Sequence, residues 1–314
     1  MQDEETWARD SLRDIALEGI RERRRARRWG IVFKLLVLIY LFALLFFSAG
    51  PLLGLGSDGG TGPHTAVVEI EGPIMADGRA SAERIIAGLE QAFEAPQAQG
   101  VMLQINSPGG SPVESSRIYQ AIQSLRETHP NMPVHAVAGD SLASGAYYIA
   151  AAADDIYVDG ASIVGSIGVI SRGFGLSEAI DRLGIERRVY AAGDEKAGMD
   201  PFTEPDPEEE ARMQDMLDGI HRQFIDAVRA GRGERLDTNN EMLFSGRIWT
   251  GEQGIALGLA DALGTPRTVA ADVIGAEQRV QYAPPRPFLD RALERVGGAA
   301  ARVWLELQRP TLAQ

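Results

Sequence analysis

Cysteine is missing altogether from the 314 residues, and lysine nearly so, with Lys34 and Lys196 the only lysines among 31 basic residues. The first absence excludes disulfides, thiol nucleophiles and thiolate metal sites together, so an exported part of the chain must be held by its apolar core. Histidine is scarce as well: His64, His129, His135 and His221 are scattered, with no His-x-x-x-His pair. No metal-site pattern results, and none of the four stands in a Ser-His-Asp context. His135, inside an apolar run, is the one histidine that stays open as a base. Positive charge is short too, since the formal net charge is −13. Residues 1–34 carry nine basic and seven acidic residues, a net +2, so the remainder carries −15. Nucleic acid is therefore not an expected partner. No cofactor-binding pattern is present.

Long apolar runs are absent except for one. Ile31 to Ala49 contains a single charge, Lys34, close to one end. Its length is near the roughly 20 residues that a spanning helix needs, and Trp29 stands where interface aromatics stand. Arg21, Arg23, Arg24, Arg25, Arg27 and Arg28 precede it. The excess of arginine on that side predicts a cytoplasmic N-terminus and an exported remainder, as in a bacterial-type inner or cell membrane protein. A cleaved signal peptide is the rival reading. The run exceeds the ~7–15 residues of a signal core, which favours an uncleaved anchor. The expected organisation is a basic arm at 1–30, a transmembrane anchor at 31–50 and a Gly-rich linker at 51–64. A catalytic-size domain at 65–275 follows, then a Pro-rich segment with an amphipathic helix at 276–314.

After the linker, strand and helix patterns alternate. Thr65–Ile70, Gly100–Ile105, Pro133–Ala138, Asp155–Val158, Ile167–Ile170 and Ile185–Tyr190 read as strands. Ser81–Phe93, Val113–Thr128 and Gly145–Ala153 read as helices between them, and a long helix begins at Asp206-Pro207-Glu208-Glu209. This spacing implies an α/β core with largely parallel strands.

One stretch, Asp140 to Ala153, delivers Ser144 to the start of an Ala-rich helix. A serine there lies near unpaired helix N–H groups, which favour developing negative charge. Such a serine is a candidate nucleophile, and it is equally a candidate helix N-cap. Gly109-Gly110 precede the helix that opens at Ser111-Pro112-Val113-Glu114. Paired glycines leave backbone N–H groups accessible, as an oxyanion hole requires, although a plain turn would look the same. Lys196 stands out because lysine can lose its proton near neutral pH when buried, whereas arginine cannot. Ser166, in Gly165-Ser166-Ile167-Gly168-Val169, could orient that amine or could merely pack.

Taken together, these segments resemble the signal peptide peptidase A family of membrane-anchored serine peptidases. The resemblance covers Val67 to Leu263 and rests on five motifs in order. They are Asn-Ser-Pro-Gly-Gly at 106–110, Ala-Ser-Gly-x-Tyr-Tyr-Ile-Ala at 143–150, Gly-Ser-Ile-Gly-Val at 165–169, the lysine loop at 193–202, and Ser-Gly-Arg-x-x-Thr-Gly at 245–251 followed by Gly258-Leu259-Ala260-Asp261. It implies a repeated ββα core like that of Clp protease and the crotonases, and a Ser/Lys dyad that degrades apolar peptides such as released signal peptides. It also implies assembly into homo-oligomers. By the resemblance Ser144 is the nucleophile, Lys196 the general base and Ser166 its helper. Gly109, Gly110 and Gly145 supply the backbone oxyanion hole, and one short chain supplies both dyad members. Ala146, where glycine is frequent, and the lysine loop, which lacks an acidic residue directly after Lys196, depart from the pattern. A crotonase-like acyl-CoA enzyme and an inactive peptide-binding scaffold are the alternatives.

Overall fold

A computed structural model describes residues 29–42, 62–193 and 195–282. The chain divides into two units, Met1–Gly59 and Gly60–Gln314. In the first, residues 29–42 form an exposed helix. Among the described residues no helix is long and apolar enough to cross a membrane. Residues 43–50 of the expected anchor, most of the basic arm and linker, and the expected C-terminal helix lie outside the described residues.

The second unit is built on a sheet whose central strands are apolar along most of their length. Strand β1 (His64–Glu71) and strand β2 (Ala98–Ser107) pair in parallel from Ala66↔Val101 to Glu71↔Asn106. Strands flanked on both sides and covered on both faces read as near-continuous apolar runs, which is how these two read. Ala66, Val68, Ile70, Val101, Leu103 and Ile105 face the main core, whereas Val67 and Met102 face a smaller cluster with Val137, Val269 and Ala270. Helix α1 (Ala82–Phe93) buries Ile85, Leu89, Ala92 and Phe93 at helical spacing. Helix α2 (Pro112–Thr128) buries Ile118 and Ile122. Each fully buried aliphatic side chain contributes about 1.5–3 kcal/mol.

Strand β3 (Val134–Ala143) ends five residues later than Pro133–Ala138 would suggest, because it changes partner half-way. His135–Val137 pair with β4 (Asp155–Val158), and Ser141–Ala143 pair with β5 (Ile163–Gly165). Gly139-Asp140 therefore stays extended rather than ending the strand. Helix α3 (Gly145–Ala150) follows β3 after one intervening residue, Ser144. β6 (Ile248–Thr250) runs antiparallel to β5, β7 (Ala262–Leu263) joins β4, and β8 (Arg279–Gln281) joins β1. The sheet order is β6-β5-β3-β2-β1-β8, and every pairing but β5–β6 is parallel. The α/β architecture is thus as expected, and the sheet takes in residues beyond 275.

Two expected strands do not form. Ile167–Ile170 runs on from β5 without a ladder partner, and Ile185–Tyr190 is exposed throughout. Strand-type side chains need a neighbouring strand to pair with, and among the described residues no strand pairs with either segment. Short helix α4 (Ser177–Arg182) lies between them and buries no residue. The 26-residue helix α5 (Pro207–Arg232) starts at its predicted cap, with Asp206 accepting from Glu208 N at 2.9 Å. Its buried residues, Phe224, Ala227, Val228 and Arg232, all lie in its last third.

Candidate active site

Ser144 has φ 54° and ψ −125°, a left-handed conformation that a non-glycine residue rarely adopts. Such a residue is strained by about 1–3 kcal/mol and persists only where its surroundings hold it. Here Ser144 N donates to Gly165 O at 2.8 Å, and Ser144 O accepts from Tyr148 N at 3.0 Å. The side chain makes no capping hydrogen bond to α3. The N-cap reading therefore fails, and the half-buried hydroxyl is left to face a cavity.

The Gly109-Gly110 turn is pressed against this junction. Gly109 has φ 95°, and a Cβ there would lie 2.7 Å from both Ser144 Cβ and Gly145 N. A Cβ on Gly110 would overlap the carbonyl of Ile74, a residue that bridges the turn, its N donating to Gly109 O (2.9 Å) and its O accepting from Ser111 N (2.8 Å). Only glycine fits either position. Gly109 N donates to Ser107 Oγ at 3.1 Å, so this expected oxyanion donor is already engaged and contributes shape instead. Gly110 N and Gly145 N find no acceptor among the described residues. Gly110 N lies 3.3 Å from where a side chain on Gly145 would begin, so the two free donors lie side by side next to Ser144.

Ser166 repeats the geometry of Ser144. Ala143 and Gly165 are paired strand ends, and the next residue on each strand is a serine in the left-handed region, Ser166 having φ 53°. Ser166 N is fixed by Arg247 O at 2.9 Å. Five of the six expected site residues, Ser144, Ser166, Gly109, Gly110 and Gly145, are thus brought into one neighbourhood.

Lys196 is not. Its side chain is exposed rather than buried, and it does not line the cavity beside Ser144. The loop that carries it is attached instead to the beginning of α5, where Glu209 Oε2 accepts from Met199 N at 3.0 Å and Arg212 lies 3.7 Å from Glu195. No hydrogen bond joins Lys196 to Ser144 within this chain, and the points that hold its loop lie at the exposed end of α5. His135 does not replace it: the ring is buried against Tyr157, with Nδ1 3.2 Å from Asp155 Oδ2 but off the line of a hydrogen bond.

The cavity next to Ser144 has a volume of about 140 Å³ and is walled by Pro112, Tyr148, Val169, Ile170, Ile220 and Phe224. A cavity of about 150 Å³ takes a benzene ring, so one apolar side chain fits. Tyr148 stacks at a tilt on Phe224 with centroids 4.9 Å apart. Sequence reasoning missed this wall, since Ile220 and Phe224 belong to a helix 80 residues away whose pattern shows only an apolar face. It also missed Ser115, a fully buried hydroxyl that donates to Ser111 O at 3.0 Å and lies under Gly145. Glu114, in α2's first turn, donates its backbone N–H to Ser111 Oγ, but its carboxylate accepts from Ala82 N at 2.7 Å and so caps α1.

Behind α3, Asp261 ties the chain together. It accepts from Arg232 at 2.7 and 2.9 Å, from Arg235 at 3.2 Å and from Ile156 N at 2.7 Å. Burial disfavours its charged form, but the hydrogen bonds from Arg232 and Ile156 and the charges of Arg232 and Arg235 outweigh that, holding its pKa below the usual value. Tyr147 of α3 donates to Leu259 O at 2.8 Å, and burial pushes its phenol far up, keeping it a neutral donor. Helix α3 is thereby anchored through Tyr147, three residues after Ser144.

The profile of peptidase family S49 matches residues 126–279, which include Ser144, Ser166 and Lys196. A Synechocystis protein named as a candidate protease, slr0021, is 34% identical over 200 residues, 64% of this chain and 69% of that protein. The chain belongs to peptidase family S49. Another relative is the chloroplastic serine protease SPPA of Arabidopsis thaliana, 29% identical over 63% of this chain and 29% of that protein. A Brucella abortus protein named Na(+)/H(+) antiporter NhaA is 40% identical over 237 residues, which is 74% of this chain but only 32% of that protein. The S49 chain thus spans about a third of that relative's length, and the antiporter name belongs to the larger protein.

Proposed function

We propose that this S49 peptidase is a membrane-anchored serine endopeptidase that cleaves apolar peptides, such as released signal peptides, with a Ser144/Lys196 dyad. The observation that carries the reading is Ser144 itself: a strained, uncapped serine beside two unsatisfied N–H groups and an apolar cavity. An apolar substrate side chain fills the cavity and sets its carbonyl against Ser144 Oγ. The neutral amine of Lys196 accepts the hydroxyl proton as Oγ attacks, and Ser166 Oγ orients that amine. The carbonyl oxygen becomes an oxyanion that accepts from Gly110 N–H and Gly145 N–H. Collapse breaks the peptide bond, with the lysine's proton passing to the leaving amine, and a water then releases the acyl group by the same route.

Lys196 has to reach the site from outside it. The residues that hold its loop, Glu209 and Arg212, are eight to fifteen positions from the cavity wall at Ile220 and Phe224 on one continuous helix, or ~12–22 Å at 1.5 Å per residue. A rigid helix keeps that separation, so we infer that Lys196 serves Ser144 of a second copy. Exposed Phe174, Leu183, Ile185 and Tyr190 on the same segment are the apolar surface that such an assembly would cover. The arginine cluster before the apolar run at 31–50 supports a cytoplasmic N-terminus and a catalytic domain on the outer side.

The test is labelling by a serine-reactive phosphonate together with peptidase assays of the full chain. Labelling should vanish in Ser144→Ala. Lys196→Arg should be as inactive as Lys196→Ala, although it keeps the charge; appreciable activity in the arginine variant would overturn the dyad. Mixing Ser144→Ala with Lys196→Ala should restore part of the activity, whereas a dyad within one chain would give none.

A further inference from the structure

The lysine loop contains a third strained position, Met199, with φ 60°. Its neighbourhood shows what holds it. Met199 N donates to Glu209 Oε2 at 3.0 Å, and Gly198 is packed so tightly on the same carboxylate that a Cβ there would lie 2.9 Å from Oε1. Of the three consecutive glutamates that open α5, Glu208 and Glu210 are exposed and Glu209 alone is half-buried. Arg212, almost one turn further on, reaches Glu195, the residue before Lys196, at 3.7 Å. The residues before and after Lys196 are thus each fixed to the same rigid helix, and the stronger fixation is a charge-assisted hydrogen bond to a strained backbone.

We propose that Glu209 is a positioning residue for the peptidase reaction: its carboxylate holds the Gly198-Met199 backbone so that the loop presents Lys196 in the one orientation that meets Ser144. This rests on the reading of Lys196 as the general base. Glu209 touches neither substrate nor the reacting atoms; it acts through the lysine loop. Misplacement of a catalytic group by about 1 Å costs up to 10²-fold in rate.

The experiment is steady-state kinetics of the full chain in detergent on a fluorogenic apolar peptide, with the rate of phosphonate labelling of Ser144 measured in parallel. Glu209→Ala should lower kcat by about 10- to 100-fold with KM changed less than about twofold, and slow the labelling by a similar factor. Glu209→Gln should retain most of the activity, because an amide oxygen still accepts from Met199 N. Gly198→Ala leaves α5 untouched but pushes the loop off Glu209, and should reproduce the kcat loss; if Glu209→Ala does not fold, this variant decides. Unchanged kcat in the alanine variants, or a glutamine variant as poor as Glu209→Ala, would overturn the role. Lys196→Ala separates the two claims. If it is inactive while the Glu209 and Gly198 variants are fully active, the dyad stands and only the positioning role falls; if it is active, both fall.

Discussion

Two regions joined by α5 differ in kind. Around Ser144, nearly every backbone group is fixed by the sheet, and strain is tolerated because packing on all sides enforces it. Around Lys196, most described residues from 171 to 205 are exposed, α4 buries nothing, and a few polar contacts tie the loop to the first turns of α5. The Ser144 region is therefore held from within the chain, whereas the Lys196 region is largely exposed. A helix buried only in its last third is what such a division requires: one end belongs to the body and the other carries the arm.

The sharpest way to break the comparison is at Ser144. Ser144→Ala should reduce kcat on the order of 10⁴-fold or more, and Ser144→Gly should be equally inactive while gaining about 1 kcal/mol of stability through relief of the left-handed strain. Activity assays and urea unfolding check both, and a destabilised glycine variant would show that the conformation is not strained. Gly110→Ala comes next, with a loss of about 10²–10³-fold in kcat, because the new methyl overlaps Ile74 O and displaces a free donor.

Asp261→Asn probes the body without touching the chemistry. Arg232, 1% exposed, would lose its anion, and stability at pH 7 should fall by about 2–3 kcal/mol. The pH dependence has a definite sign. Asp261 is held below its ordinary pKa in the folded chain, so its contribution is complete above the unfolded value near 4 and is lost as pH falls through the folded one. The asparagine variant should therefore show a flatter loss of stability in acid, which unfolding at pH 7 and pH 3 would reveal. The smallest effect is expected on the arm, where Leu183→Ser and Tyr190→Ser should change unfolding stability by no more than about 0.5 kcal/mol while weakening association of copies in sedimentation.

The body was legible in the sequence because its signals are local. β1, β2, α1 and α2 follow from apolar period, α2 also from its cap at Ser111, and the long helix from Asp206-Pro207. Gly109, Gly110, Gly145, Ser144 and Ser166 were legible because each sits at a strand or helix end that those patterns mark. What stayed hidden is long-range. Nothing local says that β3 changes partner at Gly139, that Glu114 caps a different helix, or that Phe224 closes the cavity beside Ser144. Ile185–Tyr190 misled for the opposite reason, since strand-like composition cannot reveal that no partner strand lies among the described residues.

The paired ends of β3 and β5 have a further consequence. One ladder step aligns Ala143 with Gly165, and the next residue on each strand is a serine. The loop that sets this alignment is the Asp159–Ser162 turn, closed by Ser162 N to Asp159 O and pinned by Ser162 Oγ to Gly139 O. Because alternate residues of a strand face opposite ways, a slip of one residue there would point Ser166 away from Ser144 while leaving the core sequence intact. The length of the four-residue Asp159–Ser162 turn thus acts as a counting device that sets Ser166 beside Ser144.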